Sequence, residues 1–162
     1  MPSEPQDHLH IRLATEADAP VVAEHRARMF MDTGRLTPEA AVAMRAKLQK
    51  QLPPMLASGE YTGWFLVTPE DAVVAGAGVQ LRHLLPRPET LVEREALVVN
   101  VYVVPDYRQQ GLARRLMAAI LEWCVAQGIE RAALHPSAMG RHLYETMGFT
   151  PSNELILYQK PL

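Results

Sequence analysis

The residues best suited to chemistry lie in a short polar turn that follows an apolar stretch. Arg108, Gly111, Arg114 and Arg115 are the members that matter most. The first turn of a helix has backbone N–H groups without intrahelical partners and carries the positive end of the helix dipole, so it attracts phosphate. Gly111 allows an anion to approach the backbone, and the arginines add positive charge. The turn therefore predicts a binding site for a pyrophosphate group.

The stretches on either side of this turn predict the elements that hold it. Residues 98–104 are rich in valine, which is typical of a strand covered on both faces, and Pro105 ends that strand. From Leu112 onward the apolar residues recur every three or four positions, as they do in a helix that lies on a sheet. This helix is expected to end at Ala126. The turn thus lies between a buried strand and an amphipathic helix.

Two motifs resemble those of a known family, the GCN5-related N-acetyltransferases (GNAT). Residues 108–113, Arg-Gln-Gln-Gly-Leu-Ala, resemble the family's Arg/Gln-x-x-Gly-x-Gly/Ala signature, and residues 103–107 match the Val-x-Pro-x-Tyr run that leads into it. Residues 137–149 resemble its second landmark, Asn-x-x-Ala-x-x-x-Tyr-x-x-x-Gly-Phe. Ser137 and Gly140 replace Asn and Ala there, whereas Tyr144 keeps the tyrosine. Together the motifs and the order of the elements cover nearly the whole chain.

The resemblance implies that the chain binds acetyl-CoA as its acyl donor. Backbone groups of Val101 and Val103 would pair with the amides of the pantetheine arm like an added strand, and one N–H would stabilise the oxyanion. Gly140 would leave space for that arm. The implied cofactor-binding residues are Val101, Tyr102, Val103, Arg108, Gln109, Gln110, Gly111, Leu112, Ala113, Arg114, Ser137, Gly140 and Tyr144.

Acyl transfer to an amine requires a neutral amine, a stabilised oxyanion and a proton for the leaving thiolate. A tyrosine hydroxyl with a pKa near ~10 can donate to a thiolate at neutral pH, so Tyr144 is expected to be the general acid. The general base is open among Glu93, Glu95, Asn100 acting through a water, and His135; Tyr144, Asn100 and Glu95 form the expected catalytic set. Asn100 is the polar residue in an apolar run, and the partner it needs could also be structural.

The rest of the chain predicts an α/β or α+β domain with a mixed central sheet and about four flanking helices. The expected order is strand, helix, helix, three strands, helix, strand, helix, strand. A flexible tail is expected over residues 1–9 and a single domain over residues 10–162. Strands are expected at 10–14, 61–67, 73–81, 98–104, 131–135 and 155–158. Helices are expected at 18–31, 37–58, 112–126 and 138–147. The second helix is expected to break or kink at Pro53 and Pro54.

Several residues bear on the acceptor, whose identity the sequence leaves open. His25 and Arg26 interrupt the core face of the first helix, where they either snorkel at its edge or form the wall of an acceptor pocket. The resemblance implies that specificity resides around residues 29–36. Asp32, Glu93 and Glu95 would suit a cationic amine. Arg26, Arg28 and Arg35 would instead suit a carboxylate.

Two further features have two interpretations each. Gly76 and Gly78 lie inside an expected strand, where they indicate either the close approach of another backbone or a ligand, or a bulge. The proline-rich residues 84–90 form either a flap beside the active site or a plain connection.

Composition limits the partners. The formal net charge is −2 and no basic block is present, so no nucleic-acid partner is expected. No run approaches the roughly twenty apolar residues of a membrane helix. The single Cys124 suits burial in a reducing cytoplasm, and the two histidines His8 and His10 are too few to predict a metal. A homodimer is an expectation drawn from the family alone.

The favoured function is transfer of an acetyl group from acetyl-CoA to a primary amine of a small molecule or peptide, within a ternary complex. The alternative is a non-catalytic module that binds acyl-CoA as a sensor or regulatory subunit. A nucleotide hydrolase with a P-loop is excluded, because the turn lacks the Gly-Lys-Ser/Thr ending that such enzymes need.

Overall fold

The computed structural model describes residues 6–159, which form one mixed sheet with helices on both faces. The strands are β1 His10–Leu13, β2 Tyr61–Val67, β3 Val73–His83, β4 Arg94–Val103 and β5 Arg131–Leu134. The helices are α1 Ala19–Asp32, α2 Pro38–Ser58, α3 Leu112–Ala126 and α4 Arg141–Thr146, and short 3-10 turns occupy Gln6–His8, Glu16–Asp18 and Pro105–Tyr107. This is the mixed α+β architecture that the sequence predicted.

The sheet has the strand order β1-β2-β3-β4-β5, antiparallel as far as β4 and parallel between β4 and β5. Pairing between β4 and β5 runs only from Glu95↔Arg131 to Val98↔Leu134. Because β4 continues to Val103, its last residues have no partner strand on that edge within residues 6–159. The two parallel strands therefore part, and backbone groups of β4 are exposed in the gap.

Each face of the sheet has its own core. On the first face α3 packs on the strands through Leu116, Met117 and Ile120, which are fully buried, and Trp123 of α3 contacts Trp64 edge to face. Cys124 is buried in the same core as a free thiol, as predicted. On the second face α1 and α2 cover a separate cluster; its buried members are Ala19, Val22, Ala23, Leu52, Tyr61, Phe65 and Val67.

Helix α2 continues through Pro53 and Pro54 to Ser58, so the expected break does not occur. Proline lacks an N–H group, and the helical acceptors that lose a donor are the carbonyls of Gln49 and Lys50. Both residues are exposed, so water can bind these carbonyls. Exposure at this point makes two consecutive prolines tolerable inside the helix.

The last predicted strand, residues 155–158, is also wrong. These residues form no ladder, and Leu155, Ile156, Leu157 and Tyr158 are exposed by 58–96%. Alternating apolar side chains favour a strand only when a neighbouring strand is available, and no strand of the described chain pairs with them. Helix α4 is likewise shorter than the expected 138–147, because it begins only at Arg141, and Met139 before it is 96% exposed.

The ends of the domain differ slightly from the prediction. Leu9, assigned to the tail, is 1% exposed and belongs to the core beneath α3, and Arg115 donates a hydrogen bond to its carbonyl. Packed structure therefore begins before β1. Residues 1–5 of the expected tail and residues 160–162 of the expected domain lie outside the described residues.

Residues 84–90 form a connection and not a flap beside the turn. They join the end of β3 to the start of β4, and Leu84 donates its N–H to the carbonyl of Glu93. Thr90 hydrogen bonds to Glu130 in the loop before β5. This loop lies at the end of β4 opposite the Arg108 turn.

Candidate functional site

The turn after β4 has a backbone shape that exposes several N–H groups. Gln109 and Gly111 both have left-handed conformations, with φ values of 60° and 76°. Gly111 is the N-cap of α3, and no side chain caps the helix there. The amides of Leu112, Ala113 and Arg114 are therefore left for a ligand. Successive amides in such a turn, together with the helix dipole, make an anion site.

A cleft with a volume of about 340 Å³ lies directly against these amides. It runs between the turn, the end of β4 and the start of α4. The residues that line it are Val103, Tyr107, Arg108, Gln109, Gly111, Leu112, Ala113, Arg114, Met139, Gly140 and Leu143. Eight of the thirteen predicted cofactor residues thus line one cleft: Val103, Arg108, Gln109, Gly111, Leu112, Ala113, Arg114 and Gly140.

The arginines near the turn tie it to other elements. Arg108 donates from Nε to the carbonyl of Val103 (2.9 Å) and from Nη2 to Asp32 at the end of α1 (2.6 Å). Arg114 donates to the hydroxyl of Thr146 on α4. Arg115 lies outside the cleft lining and binds the carbonyl of Leu9. Arg108 and Arg114 therefore add charge at the cleft, whereas Arg115 anchors α3.

The exposed edge of β4 has the polarity that an added strand needs. Val104 donates its N–H to Val74 of β3, so the alternation of an antiparallel strand turns the N–H and C=O of Val103 toward the opposite edge. That carbonyl accepts the hydrogen bond from Arg108. The side chains of Val101 and Val103 pack on the α3 core. Their backbone is thereby held rigid along the gap between β4 and β5.

Tyr144 projects from α4 against the core beneath α3. Its ring contacts Phe149 at a centroid distance of 6.0 Å, and burial raises the pKa of its hydroxyl. The hydroxyl has no hydrogen-bond partner within residues 6–159. It therefore stays protonated at neutral pH and is available to donate. Tyr144 itself lies next to Gly140 and Leu143, which line the cleft.

Three predicted cofactor residues, Ser137, Gln110 and Tyr102, have side chains that are engaged outside the cleft lining. Ser137 accepts a hydrogen bond from the N–H of Gly140 (3.1 Å), so its hydroxyl closes the turn before α4. A Cβ at Gly140 would lie 3.2 Å from the Tyr144 ring, so this glycine makes room for that ring as well as for the cleft. Gln110 binds the carbonyl of Asp106, and the buried Tyr102 contacts Arg108 from the α1 side.

Asn100 lies at a bulge of β4 in the left-handed conformation (φ 59°), and both of its side-chain polar atoms are engaged. Its Nδ2 donates to the hydroxyl of Tyr61 (3.1 Å), and its Oδ1 accepts from Arg26 Nη1 (2.8 Å). A Cβ at Gly78 would overlap the Tyr61 ring, so Gly78 is what allows the ring to lie there. The network positions Arg26 and leaves Asn100 poorly suited to hold a water for base catalysis.

Glu95 is not placed to act as the base. Its carboxylate is 1% exposed and accepts hydrogen bonds from Arg82 and Arg131, both at 2.8 Å. It lies where β4 and β5 are still paired, before the gap opens. The physical reason for the correction is that both carboxylate oxygens are engaged by guanidiniums and closed off from solvent, so no incoming amine can reach them. We assign no proton transfer to it.

The other two candidate bases are no better placed. Glu93 precedes β4 at the end of the sheet away from the turn. His135 is exposed and lies 3.5 Å from the Glu154 carboxylate in the C-terminal segment. None of the four residues considered as a base therefore combines a free basic atom with a place at the gap.

His25 is buried beneath α1, against the rings of Phe65 and Tyr102. Burial lowers its pKa to about 4, so it is neutral at pH 7. A Cβ at Gly76 would lie 2.9 Å from His25 Nδ1. Gly76 and Gly78 thus both admit a side chain from a neighbouring element, and a bulge falls between them. The bulge is confirmed, and the groups that approach these glycines are side chains and not the backbone or ligand that was expected.

The comparisons with known proteins agree with this geometry. The acetyltransferase (GNAT) family model matches residues 28–149, which include the turn, the parting strands and α4. The chain belongs to the GNAT family. The acetyltransferases of this family use acetyl-CoA as the acyl donor, and the cofactor expected from the sequence is confirmed at this level.

Solved structures show the same fold over almost the full length. A GCN5-related N-acetyltransferase from Ralstonia eutropha is 31% identical, with a TM-score of 0.85, and the alignment covers 95% of this chain and 98% of that one. A predicted acetyltransferase from Clostridium acetobutylicum, crystallised with acetyl-CoA, is 20% identical with a TM-score of 0.84; 93% of this chain and 96% of that one are covered. The second likeness shows the fold alone.

A curated relative matches over a shorter stretch. An aminoglycoside N(6')-acetyltransferase from Salmonella typhimurium is 29% identical over 64 residues, which are 38% of this chain. The chain spans 44% of the length of that relative.

In the described GNAT domain no helix is long and apolar enough to cross a membrane, and no group of three or more His, Cys, Asp or Glu residues could hold a metal.

Sequence reasoning missed two parts of the site. One is Tyr61, whose hydroxyl fixes Asn100; the signal was Gly78, since a glycine inside a strand indicates close approach of another group. The other is the left-handed conformation of Gln109, which nothing in the residue type predicts.

Proposed function

We propose that the chain transfers an acetyl group from acetyl-CoA to a primary amine of a small molecule or peptide, by direct attack in a ternary complex. The observation that carries the proposal is the gap between β4 and β5, which opens beside the uncapped first turn of α3. A pyrophosphate site and a free strand edge at this spacing suit the two ends of one extended donor. Acetyl-CoA supplies a thioester whose carbonyl carbon the amine attacks.

The turn binds the pyrophosphate in this proposal. The amides of residues 111–114 and the guanidiniums of Arg108 and Arg114 surround the cleft and supply both hydrogen bonds and positive charge. Gly111 keeps the approach open, because nothing lies within 4 Å of the position where a Cβ would be.

The edge of β4 positions the thioester. Backbone groups of Val101 and Val103 pair with the pantetheine arm, and the carbonyl of Val103 exchanges its hydrogen bond with Arg108 for one with the donor. An N–H of this edge stabilises the oxyanion, an interaction typically worth roughly 3 kcal/mol of barrier.

Tyr144 donates its proton to the departing thiolate. Its hydroxyl is half-buried, protonated at neutral pH and without a partner within residues 6–159, and these are the properties of a general acid. The amine arrives from the α1–α2 face of the sheet and, in the absence of a placed base, loses its proton to water before it attacks.

The experiment that tests the function has two stages. Isothermal titration with acetyl-CoA is expected to give micromolar binding, weakened at least tenfold by Gly111→Asp, which puts a carboxylate at the pyrophosphate site. Release of CoA is then followed with amino acids, peptides and polyamines as acceptors. No binding at millimolar acetyl-CoA contradicts the whole proposal. Binding without transfer to any acceptor favours the sensor or regulatory module.

None of the four candidate bases is placed at the gap, and this leads to a prediction about the pH dependence of turnover. If the amine must be neutral on arrival, kcat/KM rises tenfold per pH unit until the pH reaches the pKa of the amine itself. Measurement of kcat/KM against pH for two acceptors with different amine pKa values checks this. A single plateau pH, shared by both acceptors and well below either amine pKa, would instead reveal a basic group on the protein.

A further inference from the structure

The acceptor face of the sheet carries a cluster of positive charge that no carboxylate of residues 6–159 neutralises. Arg26 reaches from α1 to Asn100 at the β4 bulge and stacks on Phe30, with its guanidinium carbon 5.1 Å from the ring centroid. Arg35 stacks on the same ring at 5.0 Å. Two guanidiniums therefore share one aromatic ring at the end of α1.

The end of α1 places Arg35 by its backbone geometry. Gly34 has a φ of 72°, its N–H donates to Met31, and the N–H of Arg35 donates to the carbonyl of Phe30. These two bonds form a Schellman motif, which reverses the chain after the helix. The motif turns Arg35 back over the helix it has just left. The backbone therefore sets the position of Arg35, and stacking on Phe30 brings its guanidinium close to that of Arg26.

A groove beside Arg26 extends this cluster. It has a volume of about 300 Å³, at the lower end of the range for small-molecule sites, and it is lined by Arg26 and by one face of α2. Its α2 residues are Ala43, Met44, Lys47, Leu48 and Gln51. Lys47 adds a third positive group, and Met44 and Leu48 supply apolar contact.

The carboxylates near Arg26 and Arg35 either bind other arginines or form no ion pair with these two. Glu24 binds Arg28 and Arg45, and Asp32 binds Arg108. Glu39, one turn before Ala43, is exposed and forms no ion pair with Arg26 or Arg35. Burial lowers the pKa of Arg26, and the charge of Arg35 contributes in the same direction. Burying a guanidinium without a counter-ion costs free energy, and an anionic ligand would offset this cost.

The groove is on the correct side of the sheet for an acceptor. Asn100 lies two residues beyond the last β4–β5 pair, and its partners Tyr61 and Arg26 belong to the α1–α2 face. The cofactor cleft is lined by residues of the turn, α3 and the start of α4. Arg26 therefore links the groove to the β4 bulge, close to the point at which β4 and β5 part.

We propose that the acceptor is an amine that also bears a carboxylate, such as an amino acid, and that Arg26 and Arg35 bind this carboxylate. The inference rests on the proposed acetyltransferase function and names its substrate class. Arginine suits this task because its planar fork matches a carboxylate. A polycationic amine would instead meet three positive side chains, so the site disfavours it.

Matched acceptors test the selectivity. The twenty amino acids and their carboxamides are compared in the CoA-release assay, with spermidine as a polycationic amine. At least one amino acid is expected to exceed its carboxamide and spermidine by tenfold or more in kcat/KM. Transfer that is equal or faster with the carboxamides or with spermidine overturns the inference while it leaves the proposed function intact.

A pair of variants tests the residues. Arg35 is exposed, so Arg35→Gln should fold normally, and it is expected to lower the preference for carboxylate over carboxamide at least fivefold. Lys50→Gln removes the same charge from an exposed position of α2 outside the groove lining and should leave the preference unchanged. The affinity for acetyl-CoA should stay constant in both. Equal effects of the two variants would mean that the preference depends on overall charge and not on the cluster, and would overturn the inference.

A binding measurement decides the question without turnover. N-acetyl amino acids, the expected products, are titrated into the CoA-saturated protein alongside their carboxamides. Binding of the carboxylate form that weakens at least fivefold in Arg35→Gln supports the inference. Failure of every N-acetyl amino acid to bind at millimolar concentration, in protein that binds CoA, overturns it. Failure to bind CoA or acetyl-CoA at all overturns the proposed function.

Discussion

Tyr144 combines three properties at the level of a single side chain: partial burial, a raised pKa and a hydroxyl that no group of residues 6–159 binds. Its ring is held by Phe149 and by the space that Gly140 leaves. A fixed ring with an unused hydroxyl can be dedicated to proton transfer, which makes its role separable from packing.

Replacement of Tyr144 by Phe is expected to lower kcat at least tenfold and to leave the affinity for acetyl-CoA within a factor of two. The ring keeps its packing, and only the proton donor is lost. Because burial raises the pKa of this hydroxyl, kcat should show no loss from its deprotonation below about pH 10. Steady-state kinetics and titration check the two expectations. Undiminished kcat in Tyr144→Phe would remove the residue from the acid role.

A second prediction at this scale concerns Gly78. Gly78→Ala should cost about 1–3 kcal/mol of unfolding free energy, because the new Cβ overlaps the Tyr61 ring in a packed core. In a Tyr61→Ala background the same change should cost much less, since the ring is gone. Urea denaturation of the four proteins of this double-mutant cycle measures the difference. Equal costs in the two backgrounds would mean that the ring is not what Gly78 accommodates.

Single residues of the proposed donor site could be located from the sequence because their types are tied to backbone tasks. Gly111 at the helix start and Tyr144 at a fixed spacing from Gly148 could be read directly from the chain. The role of Glu95 could not, because its partners Arg82 and Arg131 come from neighbouring strands. An isolated acid at a strand start has the same appearance whether it is a base or half of an ion-pair cluster.

At the scale of elements, the ion-pair cluster around Glu95 connects three strands, β3, β4 and β5. Arg82 extends from β3 and Arg131 from β5 to the same carboxylate of β4. The cluster lies at the end where the parallel strands are still paired. It closes the sheet on one side of the point at which the strands part.

Replacement of Glu95 by Gln is expected to cost roughly 3 kcal/mol of unfolding free energy, because it leaves two arginines without their shared carboxylate. The arginine side chains are about one third exposed, which keeps the cost in the lower part of the usual range. The folded variant should retain kcat within a factor of three at 20 °C. A loss of kcat above a hundredfold with unchanged stability would restore Glu95 as the base.

The elements themselves were predictable to the extent that local pattern decides them. Helix α3 followed its apolar stripe, and β2 matched its predicted bounds. Two failures have a common cause. Pro53 and Pro54 do not break α2 because exposure lets water replace the missing donors, and residues 155–158 form no strand because no partner strand is available within residues 6–159. Both outcomes depend on surroundings that a local pattern does not contain.

The stability of the whole molecule should depend on pH through His25. Its pKa is about 4 when folded and near 6.5 when unfolded, so between these values the unfolded chain binds a proton that the native protein does not. Stability therefore falls as the pH drops from 7 to 5, by about 2 kcal/mol. The pKa values of Asp18 and Glu24 are lowered by their arginines, so the stability that these two carboxylates contribute is lost only at lower pH.

Urea denaturation at pH 7, 6 and 5 tests this expectation. His25→Leu should remove most of the dependence in this window, because no proton is then taken up at position 25 on unfolding. A wild-type profile that is flat from pH 7 to 5 would show that the His25 ring reaches water or a hydrogen-bond partner in solution.

The two faces of the sheet bury their side chains in separate cores, one beneath α3 and one beneath α1 and α2. Substitutions in α1 or α2 therefore repack one core and leave the core beneath α3 in place, although Asp32 of α1 also binds Arg108 at the turn. Under the proposed function, this separation would let acceptor preference change during evolution while the proposed donor cleft is kept. A library confined to the α1–α2 face, with Asp32 retained, should then change the accepted amine and leave acetyl-CoA binding unaltered.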